Sequence, residues 1–329
     1  MLALFRTNQF VANIFLVFYA FIVRGAAFWG GLAPVHQGGS VVFESLFGGL
    51  DLGGTQSALL ALLIVCFQAL LINIILARHR MANELSLLPG MFYVLLASSF
   101  TPFLLLSPVL VATTFYLLAL YEMLETYKKY AASGNIYNVG LWLGLASLFY
   151  PSLLIYILLA VVGLRSLRAF RFREQLVLAS GFVSPFFLAF VYYFATDRAS
   201  LLWQNLLLEG LSWWELRGAL SWPDYLQLGF FTFLILLALL SFNRFLIKLN
   251  IQFQKNIGIF YWGLLFALLA LFLQAAAGLD HLLLLVPSLA IFLSFNFLGL
   301  SRSLAEVFHL LLLVGLLLVH YQNWWLVGG

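Results

Sequence analysis

Long apolar runs alternate with short polar gaps along almost the whole chain. Eleven runs are recognisable, at about residues 10–28, 57–77, 86–103, 107–125, 137–149, 151–164, 175–196, 224–242, 258–278, 282–300 and 304–321. They are continuous instead of alternating at period two, which excludes a closed barrel and predicts helices. A crossing helix needs about 20 residues at 1.5 Å rise each. Most runs meet that length, and the fifth and sixth do not. The pattern predicts an all-α, polytopic transmembrane bundle of about eleven segments, with residues 1–329 forming one membrane domain.

The exception spans residues 137–164. Two crossings need about 40 residues, and this stretch lies closely between the basic gaps at Lys128–Lys129 and Arg165–Arg173. Tyr150 precedes Pro151 and so avoids helical geometry, which marks a turn. A half-depth hairpin of two short helices follows, shielded by neighbouring helices because lipid cannot satisfy its turn backbone. Gly140, Gly144, Ala146 and Ser147 would permit close helix contact. A second turn runs from Thr101-Pro102 to Ser107-Pro108, and Pro89 falls in the first turn of the third helix, where proline is tolerated.

Composition agrees: 64% of the residues are hydrophobic and 9% are charged, against about 25% charged in soluble domains. Charge placement adds an orientation. With the N-terminus cytoplasmic, Arg6, Arg78, Arg80, Lys128, Lys129, Arg165, Arg168, Arg171, Arg173, Arg244, Lys248, Lys255 and Arg302 fall inside, while only Arg24, Arg198 and Arg217 fall outside. That asymmetry follows the positive-inside rule and puts the C-terminus outside. The basic excess is thereby explained without nucleic acid. Membrane lipid is the expected partner, and the gap 243–256, basic and without acid, suits anionic lipid. The run after Arg6 lacks a clear small-x-small cleavage site and is expected to remain as an uncleaved first helix. The one cysteine, Cys66, lies within a run and reads as a small buried side chain.

Two external loops follow, at about 29–55 and 197–223. The first, Trp29 to Thr55, is glycine-rich and carries His36, Glu44 and Asp51. Val42, Phe43, Leu46 and Phe47 share one side at helical spacing, with Ser40 as a cap and Gly48 as a stop, so a short helix lying against the membrane is expected. The second holds Trp203, Trp213, Trp214 and Trp222, with Leu202, Leu206 and Leu207 at helical spacing, and reads as an interfacial helix.

No phosphate-binding loop, zinc motif or cysteine–histidine cluster is present, so no cofactor and no metal is identified. No charge sits at the centre of a span, which argues against an ion-coupled transporter. Asn13, Gln68, Asn73, Gln274 and Asn296 read as interhelical hydrogen-bond partners. Candidate chemistry therefore gathers on the external side. Glu44 or Asp51 could act as general base toward a hydroxyl, although each alone also reads as a solvated loop acid. Asp280 and His281 open the tenth run, where Asp280 can offset the helix dipole and His281 can donate to a phosphate. Arg24 stands at the outer end of the first run against the charge rule, so it is either paired or binds an anionic headgroup. Arg198 is a second external cation.

Several stretches carry a resemblance. SPVLVATTFYLLALYEML, GLWLGLASLFYPSLLIYILLAVVGL and DHLLLLVPSLAIFLSF, together with an acid-bearing loop after the first helix, resemble the membrane core of C-type glycosyltransferases. The resemblance covers roughly residues 1–300 and rests on pattern. It implies a sugar taken from a polyprenyl-phosphate carrier at the outer leaflet, Glu44 or Asp51 as catalytic base, and Arg24, Arg198, His281 and Asp280 at the substrate. The chain departs from that pattern in two ways. Its first acid, Glu44, comes late and has no adjacent acidic partner, and Asp280-His281 stands where a basic-aromatic pair is usual. MLALFRTNQFVANIFLVFY, NIILARHRMANELSLLPGMFYVLL and ASLFYPSLLIYILL are similar to an uncharacterised family of multi-pass inner-membrane proteins from Bacteroidota. That likeness implies a bacterial inner-membrane location, with a periplasmic C-terminus, and no activity. Two alternatives to a transferase stand: a non-catalytic component or scaffold of an envelope protein complex, and a lipid or solute transporter.

Overall fold

The computed structural model describes residues 5, 10–29, 41–49, 53–79, 81, 86–204, 215–216, 222–242, 251–273, 276–277 and 279–327. Eleven principal helices lie among them: α1 (Phe10–Val23), α2 (Gly54–Arg78), α3 (Leu88–Leu96), α4 (Pro108–Glu125), α5 (Ser133–Phe149), α6 (Tyr156–Leu167), α7 (Phe172–Ala195), α8 (Trp222–Leu240), α9 (Ile251–Leu271), α10 (Val286–Leu298) and α11 (Arg302–Val327). Six stretches are long and apolar enough to cross a membrane: Gly54–Arg78, Pro108–Glu125, Phe172–Ala195, Ile251–Leu271, Leu279–Leu298 and Arg302–Tyr321. The chain is a multi-pass membrane protein of all-α architecture. Its described β structure is a parallel two-residue bridge, Glu215–Leu216 against Ala276–Ala277.

The centre of the bundle is α3 and α10. Every residue of α3 is buried, and α10 packs along it. By contrast α7 and α11 present Phe187, Leu188, Phe194, Leu311, Val314 and Leu318 outward. Helices apolar on every side with one exposed face are what a bilayer solvent requires.

The third run is shorter as a helix than its apolar length suggests. It stops at Leu96, and the chain continues through a 3-10 turn, Thr101–Leu104. Ser98 Oγ donates to the Val94 carbonyl at 2.7 Å, and Ser99 Oγ to Leu95 at 3.4 Å. Such back-bonding competes with the helix, and Thr101 precedes a proline. After the turn, Ser107 caps α4 by accepting from Leu110 N at 3.2 Å.

The hairpin is present with its turn at Tyr150-Pro151, but both arms are longer than expected. α5 begins at Ser133 and α6 runs to Leu167. Polar ends account for the extension. Asn135 donates to Glu122 at 2.6 Å and accepts from Lys129 Nζ at 2.7 Å, while Arg168, just past α6, donates to Glu174 at 2.8 Å. The hairpin is held by α7 and α4. A Cβ at Gly140 or Gly144 would strike the backbone of Leu178 or Phe182, and one at Gly181 would strike Tyr137. The α5–α7 crossing is therefore a backbone-on-backbone contact that only glycine permits.

The basic gaps meet at one end of the bundle. Arg168 also donates to the Lys129 carbonyl at 3.2 Å, Lys255 lies 5.6 Å from the Tyr127 ring, and Arg78 pairs with Glu125. Burial holds the His79 imidazole below its usual range against the pull of Glu125, whose carboxylate lies 3.8 Å from Nε2. The connector read as 243–256 is partly helical, since α9 starts at Ile251; residues 243–250 lie outside the described set.

Polar residues inside the spans link helices. Gln68 donates to the Leu110 carbonyl at 2.8 Å and to Thr114 at 2.7 Å, and accepts from Tyr93 OH at 2.6 Å. Asn73 accepts from Gly90 N at 2.8 Å, and Asn296 accepts from Ser241 at 2.9 Å. Gln274 lies outside the described residues. Gln68→Leu is expected to cost about 1–3 kcal/mol, because it strands the Tyr93 hydroxyl in an apolar interior. A lower thermal midpoint in detergent, with unchanged elution volume, checks this.

Candidate functional site

Arg24 follows α1 directly, and its amide still bonds the Ala20 carbonyl at 3.0 Å. Its side chain is fully buried. Nη1 donates to the Ala97 carbonyl at 3.0 Å and to Ser98 Oγ at 3.4 Å, and Nη2 donates to the Phe103 carbonyl at 2.7 Å. Arg24 thus ties the first helix to the 97–104 turn. Its Nε has no hydrogen-bond partner, and no carboxylate stands within ion-pair range of it among the described residues. The pairing allowed for from sequence is therefore with two carbonyls and the Ser98 hydroxyl, and no carboxylate among the described residues compensates the charge.

The Thr101–Leu104 turn also packs against a second 3-10 segment, Leu279–Leu285, which leads into α10. This segment carries Asp280 and His281. His281 is buried, with Nε2 3.3 Å from the hydroxyl of Tyr150 at the hairpin turn. Asp280 is half-buried at the start of this segment, and its carboxylate lies near the backbone of Asp280 and His281, as at a helix start. The bridge between Glu215–Leu216 and Ala276–Ala277 brings the second loop next to this entry.

The remaining candidates gather elsewhere. Glu44 is exposed and opens a π-helical turn, Glu44–Gly48, that continues Val41–Phe43 and stops at Gly48 as the glycine suggests. Phe43 is buried beneath it, while Leu46 is exposed. Tyr193, near the end of α7, donates to the Val41 carbonyl at 3.2 Å and to Ser45 Oγ at 3.1 Å. Arg198 is exposed, and its amide bonds the Tyr193 carbonyl at 2.8 Å. Neither Glu44 nor Arg198 forms an ion pair among the described residues. Asp51, Ser40 and residues 205–214, the body of the expected interfacial helix, lie outside the described residues; Ala199–Trp203 is helical.

Arg24, Asp280 and His281 are therefore joined through one turn, and Glu44 and Arg198 through Tyr193. Tyr150, marked from sequence as a turn residue only, completes these clusters with Tyr193 and His320, which were not singled out. His320, on α11, has both ring nitrogens shut from solvent and without a hydrogen-bond partner among the described residues. Its ring faces the Ser98 backbone, short of hydrogen-bond geometry, and lies within reach of the Arg24 charge. A signal for it exists: His309 and His320 are eleven residues apart, three helical turns, and so share a face. His309 is buried on that face, 3.1 Å from Tyr19 OH.

An open apolar slot of about 240 Å³ runs between α3, α8 and α11. Leu95, Ser99, Phe230, Leu311, Gly315 and Val319 line it. Ser99 and Val319, in its lining, are the chain neighbours of Ser98 and His320. No group of His, Cys, Asp and Glu among the described residues could hold a metal ion.

These features define a polytopic helical membrane protein with a polar cluster at one end of its bundle and an open apolar slot between α3, α8 and α11. No protein-family profile and no curated protein matches the chain. Among solved structures it is similar to ArnT from Cupriavidus metallidurans in the apo state, at 18% identity and TM-score 0.49. It is similar also to that ArnT bound to undecaprenyl phosphate, at 16% identity and TM-score 0.48. Each comparison covers 88% of this chain and 56% of the other, so the chain spans little more than half of the ArnT length. Likeness at this level carries no assignment of activity.

Proposed function

We propose that the protein is a C-type glycosyltransferase-like protein that works on a polyprenyl-phosphate-linked sugar at the outer leaflet of a bacterial inner membrane. The supporting observation is the buried Arg24 cation, with no carboxylate in range among the described residues and joined through one turn to Asp280, His281 and Tyr150. A buried cation without a counter-ion is costly and favours an anion nearby. In this reading a carboxylate, Asp280 or a loop acid, takes the proton of an acceptor hydroxyl. The acceptor oxygen bonds the anomeric carbon, and the bond from that carbon to the carrier phosphate oxygen breaks. The phosphate keeps the electron pair and is stabilised by Arg24 and His281. The orientation that puts the Arg24 end outside belongs to this proposal and rests on the charge asymmetry.

The test is transfer of radiolabelled sugar from a polyprenyl-phosphate donor to lipid or protein acceptors in membranes carrying the full chain. Asp280→Asn is expected to lower turnover at least a hundredfold with the protein still folded. Glu44→Gln and Asp51→Asn, alone and together, separate the loop acids from it. If membranes carrying the wild-type chain transfer no more sugar than membranes without it, the enzyme reading fails; if all three variants retain wild-type transfer, the assignment of the base to these carboxylates fails. A second reading, a non-catalytic envelope component, is favoured by one observation: Glu44 is exposed and has no cation beside it among the described residues. That reading expects stable co-purification with a partner and no turnover.

A further inference from the structure

We infer that the basic end of the bundle seats an anionic phospholipid, with its phosphate among Lys128, Arg165, Arg171 and Arg173 and its hydrocarbon along the exposed face of α7. Three observations carry this. The first is charge. The carboxylates at these helix ends are already engaged: Glu125 with Arg78, Glu174 with Arg168, and Glu122 with the side-chain amides of Asn135 and Asn138. Lys128, Arg165, Arg171 and Arg173 are exposed, and no carboxylate stands in ion-pair range of them among the described residues. Lys128 and Lys255 are crowded as well, with ammonium groups 5.4 and 5.6 Å from the centre of the same Tyr127 ring. Like charges gathered this way favour an anion beside them.

The second is fixed placement. Arg168 donates to the Thr126 carbonyl at 3.4 Å and to the Lys129 carbonyl at 3.2 Å, which fastens one basic connector to the other. Cations from both are thereby held in one patch instead of on independent loops. The third is the surface below them. Phe172, Leu176, Val183, Phe187, Phe190 and Phe194 are exposed and share one face of α7 at helical spacing. This stripe begins between Arg171 and Arg173 and follows the helix to its far end. The stripe decides the class of partner. An acidic protein would use the cations alone, whereas a phospholipid places its phosphate on them and its chain on the stripe. Neither these residues nor this lipid enters the transfer reading above, so the two fail independently.

The purified full chain would be titrated in detergent with phosphatidylglycerol, and with phosphatidylethanolamine of the same acyl chains, read by native mass spectrometry. The expected result is saturable binding of phosphatidylglycerol, at least tenfold tighter than the zwitterionic lipid. Arg165→Gln, Arg171→Gln and Arg173→Gln combined should bind the two lipids alike at the wild-type elution volume. Lys128→Gln, a single exposed change, should weaken the preference about fivefold and serves where the triple variant does not fold. Glycerophosphoglycerol, the headgroup without its chains, should not compete. Equal wild-type binding of the two lipids, or an undiminished preference in either folded variant, would overturn the seat and leave these cations as determinants of topology. Competition by glycerophosphoglycerol at equal concentration would remove the α7 stripe, and displacement of the lipid by polyglutamate at equal charge would make the patch a face for acidic protein.

Discussion

Gly181→Leu is expected to leave little or no folded protein in the membrane. A Cβ alone at this position would strike the Tyr137 carbonyl and crowd Leu141 N at 3.2 Å. Those are backbone atoms of a helix, so nothing can rotate aside. Ordinary overpacking costs about 1–3 kcal/mol where side chains yield. Here α5 and α7 must separate, and the cost should exceed that range, which is comparable to a substantial part of a domain's total stability. Separation would also uncover the turn at Tyr150, which only protein can shield inside a bilayer. Fluorescence-detected size exclusion after mild solubilisation would show an aggregated or absent peak. Gly258→Leu is the control: a Cβ at Gly258 meets nothing within 4 Å, so that variant should elute and melt like the wild type. Normal behaviour of Gly181→Leu would mean that the two helices do not cross at these glycines.

Arg24→Met should be the second most damaging change, and here two effects oppose each other. Removing the guanidinium also removes the penalty of burying a charge, which amounts to several kcal/mol. It leaves the Ala97 and Phe103 carbonyls without their donor, at about 1–3 kcal/mol each, and unties the 97–104 turn from the first helix. Three neutral acceptors solvate the guanidinium without neutralising it, and removal strands the two carbonyls among them, so the stranded acceptors should decide the sign. The expected loss is about 2–4 kcal/mol, read as a lower thermal midpoint. Arg24→Lys should fall between, because a single ammonium cannot span acceptors on both sides of the turn as a planar fork does. Added polyprenyl monophosphate should raise the midpoint of the wild type more than that of either variant. A rise in stability on Arg24→Met without lipid would show that the uncompensated charge outweighs the clamp.

The candidate residues were legible to different degrees, for reasons that can be stated. Arg24 stood out because a cation at the outer end of a first helix breaks a charge rule. What it touches did not, since its acceptors are carbonyls of Ala97 and Phe103, groups that every residue carries. Asp280 and His281 were visible as a polar opening to an apolar run, yet the role of Tyr150 depends on a contact across 131 positions. His320 had only a shared helix face with His309 to announce it. The two loop acids show the reverse. Glu44 drew attention as chemistry, and the structure places it exposed on a turn fastened by Tyr193.

Length and apolarity of the runs, taken alone, determined that this is a multi-pass membrane protein of the all-α class. They do so because a bilayer leaves the backbone no other way to satisfy its hydrogen bonds. The small residues at Gly140 and Gly144 likewise announced a close helix contact. Tertiary structure alone decided which helix they meet, where the third helix stops, and which polar residues share a corner. Those outcomes rest on pairings between backbone groups distant in sequence, and a hydropathy pattern holds no record of partners. The slot between α3, α8 and α11 is of the same kind. Its lining is ordinary apolar sequence, and only the packing of those helices leaves a space between them.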